Sequence, residues 1–83
     1  MGQNTTHLFS IDEFNTEFVR ETIKEVYEAL EERGYNPTNQ LVGYLISGDP
    51  GYISSHKEAR NKITRLDRSK VIEVLLKEFQ LHQ

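Results

Sequence analysis

The sequence predicts an all-α fold, a compact bundle of four helices plus one short helical turn, with a disordered N-terminal tail. Apolar residues recur at helical spacing in long segments, capping residues and helix breakers separate these segments, and no segment alternates long enough to predict a strand. A chain of 83 residues is long enough for one domain only. We therefore expect a flexible tail, residues 1–9, followed by a single helical domain, residues 10–83.

The predicted tail contains too little apolar surface to offset the entropy of ordering it, apart from Leu8 and Phe9 at its end. Threonines in such a tail are accessible to a kinase, and phosphorylation of Thr5 or Thr6 would add about −1.5 to −2 units of charge.

The first helix is predicted from its apolar face. Ser10 and Glu13 have capping-box spacing, which indicates a helical turn before a main helix that begins near Asn15 or Thr16. Glutamates occupy most of the opposite face, and Gly34 is expected to end the helix in a left-handed conformation. The residues of the apolar face are Val19, Ile23, Val26, Tyr27 and Leu30.

The second helix is predicted to start at Asn36 and Pro37, which read as an N-cap followed by proline at the first helical position. Apolar residues surround this helix, which favours a place in the middle of the core or at an oligomer interface. The breakers of residues 47–51 end it, and one short helical turn through Tyr52 and Ile53 is expected. The surrounding apolar residues are Leu41, Val42, Tyr44, Leu45 and Ile46.

Two capping signals predict the last two helices. Ser55 and Glu58 have capping-box spacing and predict a polar, basic helix to about Leu66, which packs lightly. Asp67 is well placed as the N-cap of the fourth helix. The fourth helix has a broad apolar face made of Val71, Ile72, Val74, Leu75, Leu76 and Phe79.

Charge is distributed unevenly along the chain, whose net charge is −3. Residues 11–33 contain eight acidic and three basic side chains, whereas residues 56–70 contain six basic and two acidic ones. The two segments are therefore expected to attract each other within one fold or between two copies, or to attract an outside partner.

The composition argues against several classes of function. Cysteine is absent, and His7, His56 and His82 lack the spacing that places two imidazoles on one metal ion. No apolar run approaches the length of a membrane span. We therefore expect a cytoplasmic protein with no metal, no cofactor, no membrane insertion and no catalytic residues.

The basic segment, residues 55–70, supports two hypotheses. We favour a docking surface for an acidic protein or a phosphorylated segment, in which Arg60, Arg65 and Arg68 bind the partner. The alternative is a small nucleic-acid-binding helical protein that uses the same helix. Nucleic acid is the less favoured partner because the protein is net acidic and the segment contains no aromatic residue.

A series of short motifs runs from the end of the first predicted helix into the fourth. They are Gly34-Tyr35-Asn36-Pro37, Asn39-Gln40, Val42-Gly43-Tyr44, Ser47-Gly48-Asp49-Pro50, Tyr52-Ile53, Ala59-Arg60-Asn61, Arg68, Ile72 and Glu73. In these motifs the chain resembles the IreB/ReoM family of small regulatory phosphoproteins from Gram-positive bacteria, and the resemblance covers roughly residues 14–80.

The resemblance implies a helical homodimer that is not an enzyme. It also implies phosphorylation by a membrane serine/threonine kinase with PASTA repeats, opposed by its cognate phosphatase. Thr6 matches the family's Thr-x-x-aromatic pattern, since Phe9 follows at the right distance, and Thr5 is the second choice. The implied role is control of cell-wall synthesis and β-lactam tolerance, in some members through Clp-dependent proteolysis of the first committed enzyme of peptidoglycan synthesis.

Overall fold

The computed structural model describes the backbone of residues 11–83 and the side chains of residues 15–83. The predicted tail, with Thr5 and Thr6, lies outside the described residues. Within residues 11–83 the fold is all-α with no strand, as predicted. The helices are α1 (Ile11–Glu32), α2 (Pro37–Ser47), α3 (Ala59–Thr64) and α4 (Arg68–Leu81), with 3-10 turns at Pro50–Tyr52 and His56–Glu58.

Helix α1 is the centre of the bundle, because α2, α3 and α4 all pack against it. It runs continuously from Ile11, so the helical turn predicted after Ser10 and the main helix predicted from near Asn15 or Thr16 form one helix. Val19, Ile23, Val26 and Leu30 are buried, which confirms most of the predicted apolar face. Gly34 then ends the helical segment with a φ of +81°.

The core has two connected parts, and Leu45 of α2 packs against both. The C-terminal half of α1 packs with α2 and α3 around Leu30 and Ile63. The N-terminal half packs with α4, where Val71 and Val74 are buried.

Helix α2 begins and ends as predicted, but it is not buried on all sides. The Asn36 side chain accepts a hydrogen bond from the backbone N–H of Asn39 at 3.1 Å, and Gly48 is the left-handed C-cap. Leu41 and Tyr44 are buried, whereas Ile46 is 79% exposed. The expectation that α2 lies in the middle of the core is therefore wrong for this single chain, since only one side of α2 faces α1 and the turn that follows it.

The start of the third helix differs from the prediction. Ser55 makes no side-chain cap, and the Ser54 hydroxyl instead accepts from the backbone N–H of His56 at 3.0 Å. Lys57 and Glu58 both have positive φ, which rules out a regular first turn through them. Helix α3 therefore begins only at Ala59, which is fully buried with Ile63, so it packs more closely than expected.

Helix α4 starts as predicted, because the Asp67 side chain accepts from the backbone N–H of Ser69 at 3.0 Å. Its predicted apolar face divides in two. Val71 and Val74 are buried, whereas the other four apolar side chains remain exposed, namely Ile72, Leu75, Leu76 and Phe79.

Candidate docking surfaces

Two of the three predicted partner-binding arginines donate to backbone carbonyls, Arg60 to the segment between α2 and α3 and Arg68 to α2 itself. The Arg60 Nε donates to the backbone carbonyl of Ile53 at 2.9 Å. The Arg68 Nη1 donates to the carbonyl of Leu45 at 3.2 Å, near the C-terminal end of α2. A guanidinium has further N–H donors, so each arginine combines a structural bond with capacity for a partner.

Arg68 also lies directly against Gly48. A Cβ atom at this position would come within 2.8–3.0 Å of the guanidinium atoms, so the glycine provides the space in which Arg68 reaches the α2 carbonyl. The cation at the C-terminus of α2 also complements the negative end of the helix dipole.

Arg65 lies in a different place. It is exposed, and its side chain makes no hydrogen bond or ion pair with the other residues whose side chains are described. It borders a groove beside Phe18 of α1. Since Arg60 and Arg65 are five residues apart, they point about 140° apart around the helix axis. The sequence placed the three arginines in one segment, and the fold distributes them over two surfaces.

Two of the three lysines of the basic segment pair with glutamates of α1. Lys62 Nζ lies 3.1 Å from Glu25 Oε1, and Lys57 Nζ lies 3.0 Å from Glu32 Oε1. The attraction between the acidic and basic segments is therefore realised within one chain at these two positions. Neutralisation of two lysines also weakens the case for nucleic-acid binding along the basic segment.

Glu32 is the centre of a small charged cluster that connects the end of α1 to the turn before α3. His56 Nε2 lies 2.8 Å from Glu32 Oε1, and Lys57 donates to Oε2 at 3.1 Å. Hydrogen bonds with His56 and then Lys57 hold the pKa of the Glu32 carboxyl below its ordinary value of 4.5.

Glu32→Gln is expected to make the free energy of unfolding depend less on pH in the acidic range. A carboxyl whose pKa is lower in the folded state stabilises the fold above its unfolded pKa, and this contribution is lost as pH falls through the folded value. The variant should be less stable than wild type near neutral pH, and the difference should shrink as pH falls below the ordinary carboxyl pKa of 4.5. Urea unfolding midpoints measured across this range test the expectation. Glu31→Gln, at the exposed neighbouring position, should follow wild type, and equal pH dependence in all three proteins would contradict a role for the cluster.

The exposed part of α4 forms an apolar ridge, which we define as Ile72, Leu76 and Phe79. Their spacing of four and then three residues places them on one side of the helix. Leu76 is 63% exposed and Phe79 is 65% exposed. Apolar patches of this kind on a small protein mark interaction surfaces. The sequence pattern identified these residues as apolar without showing that the fold leaves them uncovered.

Among residues 15–83, no three His, Asp or Glu side chains lie close enough together to hold a metal ion. None of the helices described here is both long and apolar enough to cross a bilayer.

A family model described as IreB regulatory phosphoprotein matches residues 4–80 of the chain. The match includes Thr5 and Thr6 and extends through almost the whole of α4. It therefore covers the predicted modification site, all three arginines and the apolar ridge.

Proposed function

The chain belongs to the family of IreB regulatory phosphoproteins, and we propose that it is a non-enzymatic, cytoplasmic regulator of peptidoglycan synthesis. A serine/threonine kinase with PASTA repeats phosphorylates Thr6, with Thr5 as the second choice, and the cognate phosphatase removes the phosphate. Through this modification the protein controls β-lactam tolerance.

The regulator acts as a homodimer. The observation that carries this part of the proposal is the apolar ridge on α4, since an isolated chain leaves these large side chains in water. A chain of this size buries only about 60% of its unfolded surface, so covering the ridge with a second copy would add substantially to a small core.

The output of the dimer is contact with proteins of the proteolysis or cell-wall pathway. Arg60, Arg65 and Arg68 supply the charged contacts, because guanidinium groups pair well with carboxylates and phosphates. One route is control of Clp-dependent proteolysis of an early peptidoglycan enzyme. Phosphate on Thr6 changes these contacts through its charge.

Thr6→Ala is expected to remove the kinase-dependent phosphate, whereas Thr5→Ala is expected to retain it. Phosphopeptide mass spectrometry on protein from cells with and without the kinase measures this directly. Cells with Thr6→Ala and cells with Thr6→Glu should also tolerate different β-lactam concentrations. The alanine variant carries no charge at position 6, like the unmodified protein, whereas the glutamate variant carries a negative charge there, like the phosphorylated protein. A phosphate that persists without the kinase, or equal tolerance in both variants, would contradict the proposal.

A further inference from the structure

A shallow groove lies between the first half of α1 and the junction of α3 with α4. Asn15 and Phe18 border it on the α1 side, and Arg65, Leu66 and Lys70 border it on the other. We call it the α1 groove. Phe18 is 58% exposed and Leu66 is half-buried, so apolar side chains line the groove together with the cations of Arg65 and Lys70 and the carboxylate of Asp67.

The charged side chains at the edge of this groove differ in whether they already have partners. Lys70 Nζ lies 3.5 Å from Glu73, and Asp67 is occupied by hydrogen bonds from the backbone and hydroxyl of Ser69. Arg65 has no such bond with the other described side chains. An anion in the groove would therefore meet a guanidinium whose N–H donors none of these side chains engages.

We propose that the α1 groove binds residues 1–10 of the same chain when Thr6 is phosphorylated, with the phosphate on Arg65 and the apolar pair Leu8 and Phe9 against Phe18. This inference rests on the phosphorylation of Thr6 in the proposed function. It adds a binding site for the phosphate and a mechanism by which one modification changes the surface that partners meet.

The length of the segment fits this site. Thr6 lies five residues before Ile11, where α1 begins, so an extended connection reaches roughly 17 Å. Asn15, at the edge of the groove, is only about 6 Å along the helix from Ile11. The groove therefore opens beside the point where the segment joins the fold, and a chain that turns back at this point can reach Arg65.

The charge of the segment makes binding dependent on phosphorylation. Residues 1–10 contain no Asp, Glu, Lys or Arg, so the unmodified segment offers no acidic side chain to Arg65. Phosphate on Thr6 adds about −1.5 to −2 units of charge and oxygens that a guanidinium binds in a bidentate manner. The other two arginines are less suited to this role, because Arg60 and Arg68 already donate to backbone carbonyls.

The test uses the full-length chain with phosphothreonine at position 6, prepared by ligation of a synthetic N-terminal segment to the labelled remainder. Amide NMR shifts should change at residues 15–19 and 65–70 on phosphorylation. The second pKa of the phosphate, followed by ³¹P NMR, should fall by about one unit because of the nearby cation. Arg65→Glu should abolish both effects.

Arg33→Glu is the matched control, because Arg33 is also exposed but lies just beyond the other end of α1. It should leave both effects in place. Absent shifts, or shifts that survive Arg65→Glu, would overturn the groove as the binding site. Shifts in labelled, unphosphorylated chain mixed with unlabelled, phosphorylated chain would overturn binding within the same chain, since they require the segment of a second copy.

This experiment is independent of the cellular evidence for the proposed function, because the phosphate is introduced by synthesis. Loss of kinase dependence in cells would remove the proposed function and leave the binding measurement valid. Conversely, a phosphorylated segment that does not bind the groove would leave kinase control intact. The phosphate would then act by contacting the partner directly.

Discussion

Leu30→Ala is expected to lower the free energy of unfolding by about 3–4 kcal/mol. Leu30 is fully buried in the part of the core where α1 meets α2 and α3. Truncation removes apolar surface from this core and leaves a cavity that the surrounding helices fill only in part. Because domains of this size have a total stability of about 5–10 kcal/mol, the loss is a large fraction of it. Urea unfolding followed by circular dichroism measures it.

Leu81→Ala is the matched control for this prediction. The substitution removes the same atoms, but Leu81 is 75% exposed at the end of α4. Its effect should stay within about 0.5 kcal/mol. Similar losses in the two variants would show that the core does not lie where α1 meets α2 and α3.

Much of the fold could be predicted because local chemistry determines where most of its helices begin and end. Asn36 and Asp67 cap the helices that follow them with their own side chains, and Gly48 takes the left-handed conformation that ends α2. Each of these features depends on residues only a few positions apart. The apolar face of α1 was equally visible, since helical periodicity alone defines it.

The start of α3 could not be predicted because distant residues determine it. The Ser55 to Glu58 spacing favours a capping box, yet Lys57 and Glu58 take positive φ instead. His56 and Lys57 both contact Glu32, which lies 24 and 25 positions earlier in the chain. These long-range contacts accompany a conformation that the local pattern disfavours, and nothing in the local sequence indicates them.

The sequence predicted which residues the candidate surfaces contain, but it did not predict how the fold arranges them. Arg60, Arg65 and Arg68 are close in sequence, but Arg65 borders the α1 groove. Arg60 and Arg68 instead donate to backbone carbonyls, one in the segment after α2 and one near the C-terminal end of α2. The distinction depends on the direction of each side chain from its helix, which follows from the packing of α3 and α4 against their neighbours. The same reason explains why the sequence showed a broad apolar face on the fourth helix without showing which part of it stays exposed.

Leu76→Glu is expected to convert the proposed homodimer into monomers. Leu76 is the central residue of the apolar ridge, and a glutamate buried against a second copy would lose its hydration without gaining a partner. A penalty of about 3 kcal/mol corresponds to a dissociation constant raised more than about 100-fold. Sedimentation equilibrium over a concentration series measures this constant. The helical circular dichroism of the monomer should remain, because Leu76 is largely exposed in the single chain and contributes little to its core.

Leu81→Glu separates an effect of the ridge from an effect of charge on α4. Both variants exchange an exposed leucine of the same helix for glutamate, but the two positions point about 140° apart around its axis. If the ridge is the contact between copies, the Leu81 variant should dimerise like wild type while the Leu76 variant does not. Equal dimerisation of both variants would place the contact elsewhere. A wild-type chain that is monomeric at every concentration would remove the dimer from the proposed function, and the ridge would then be available to a different protein.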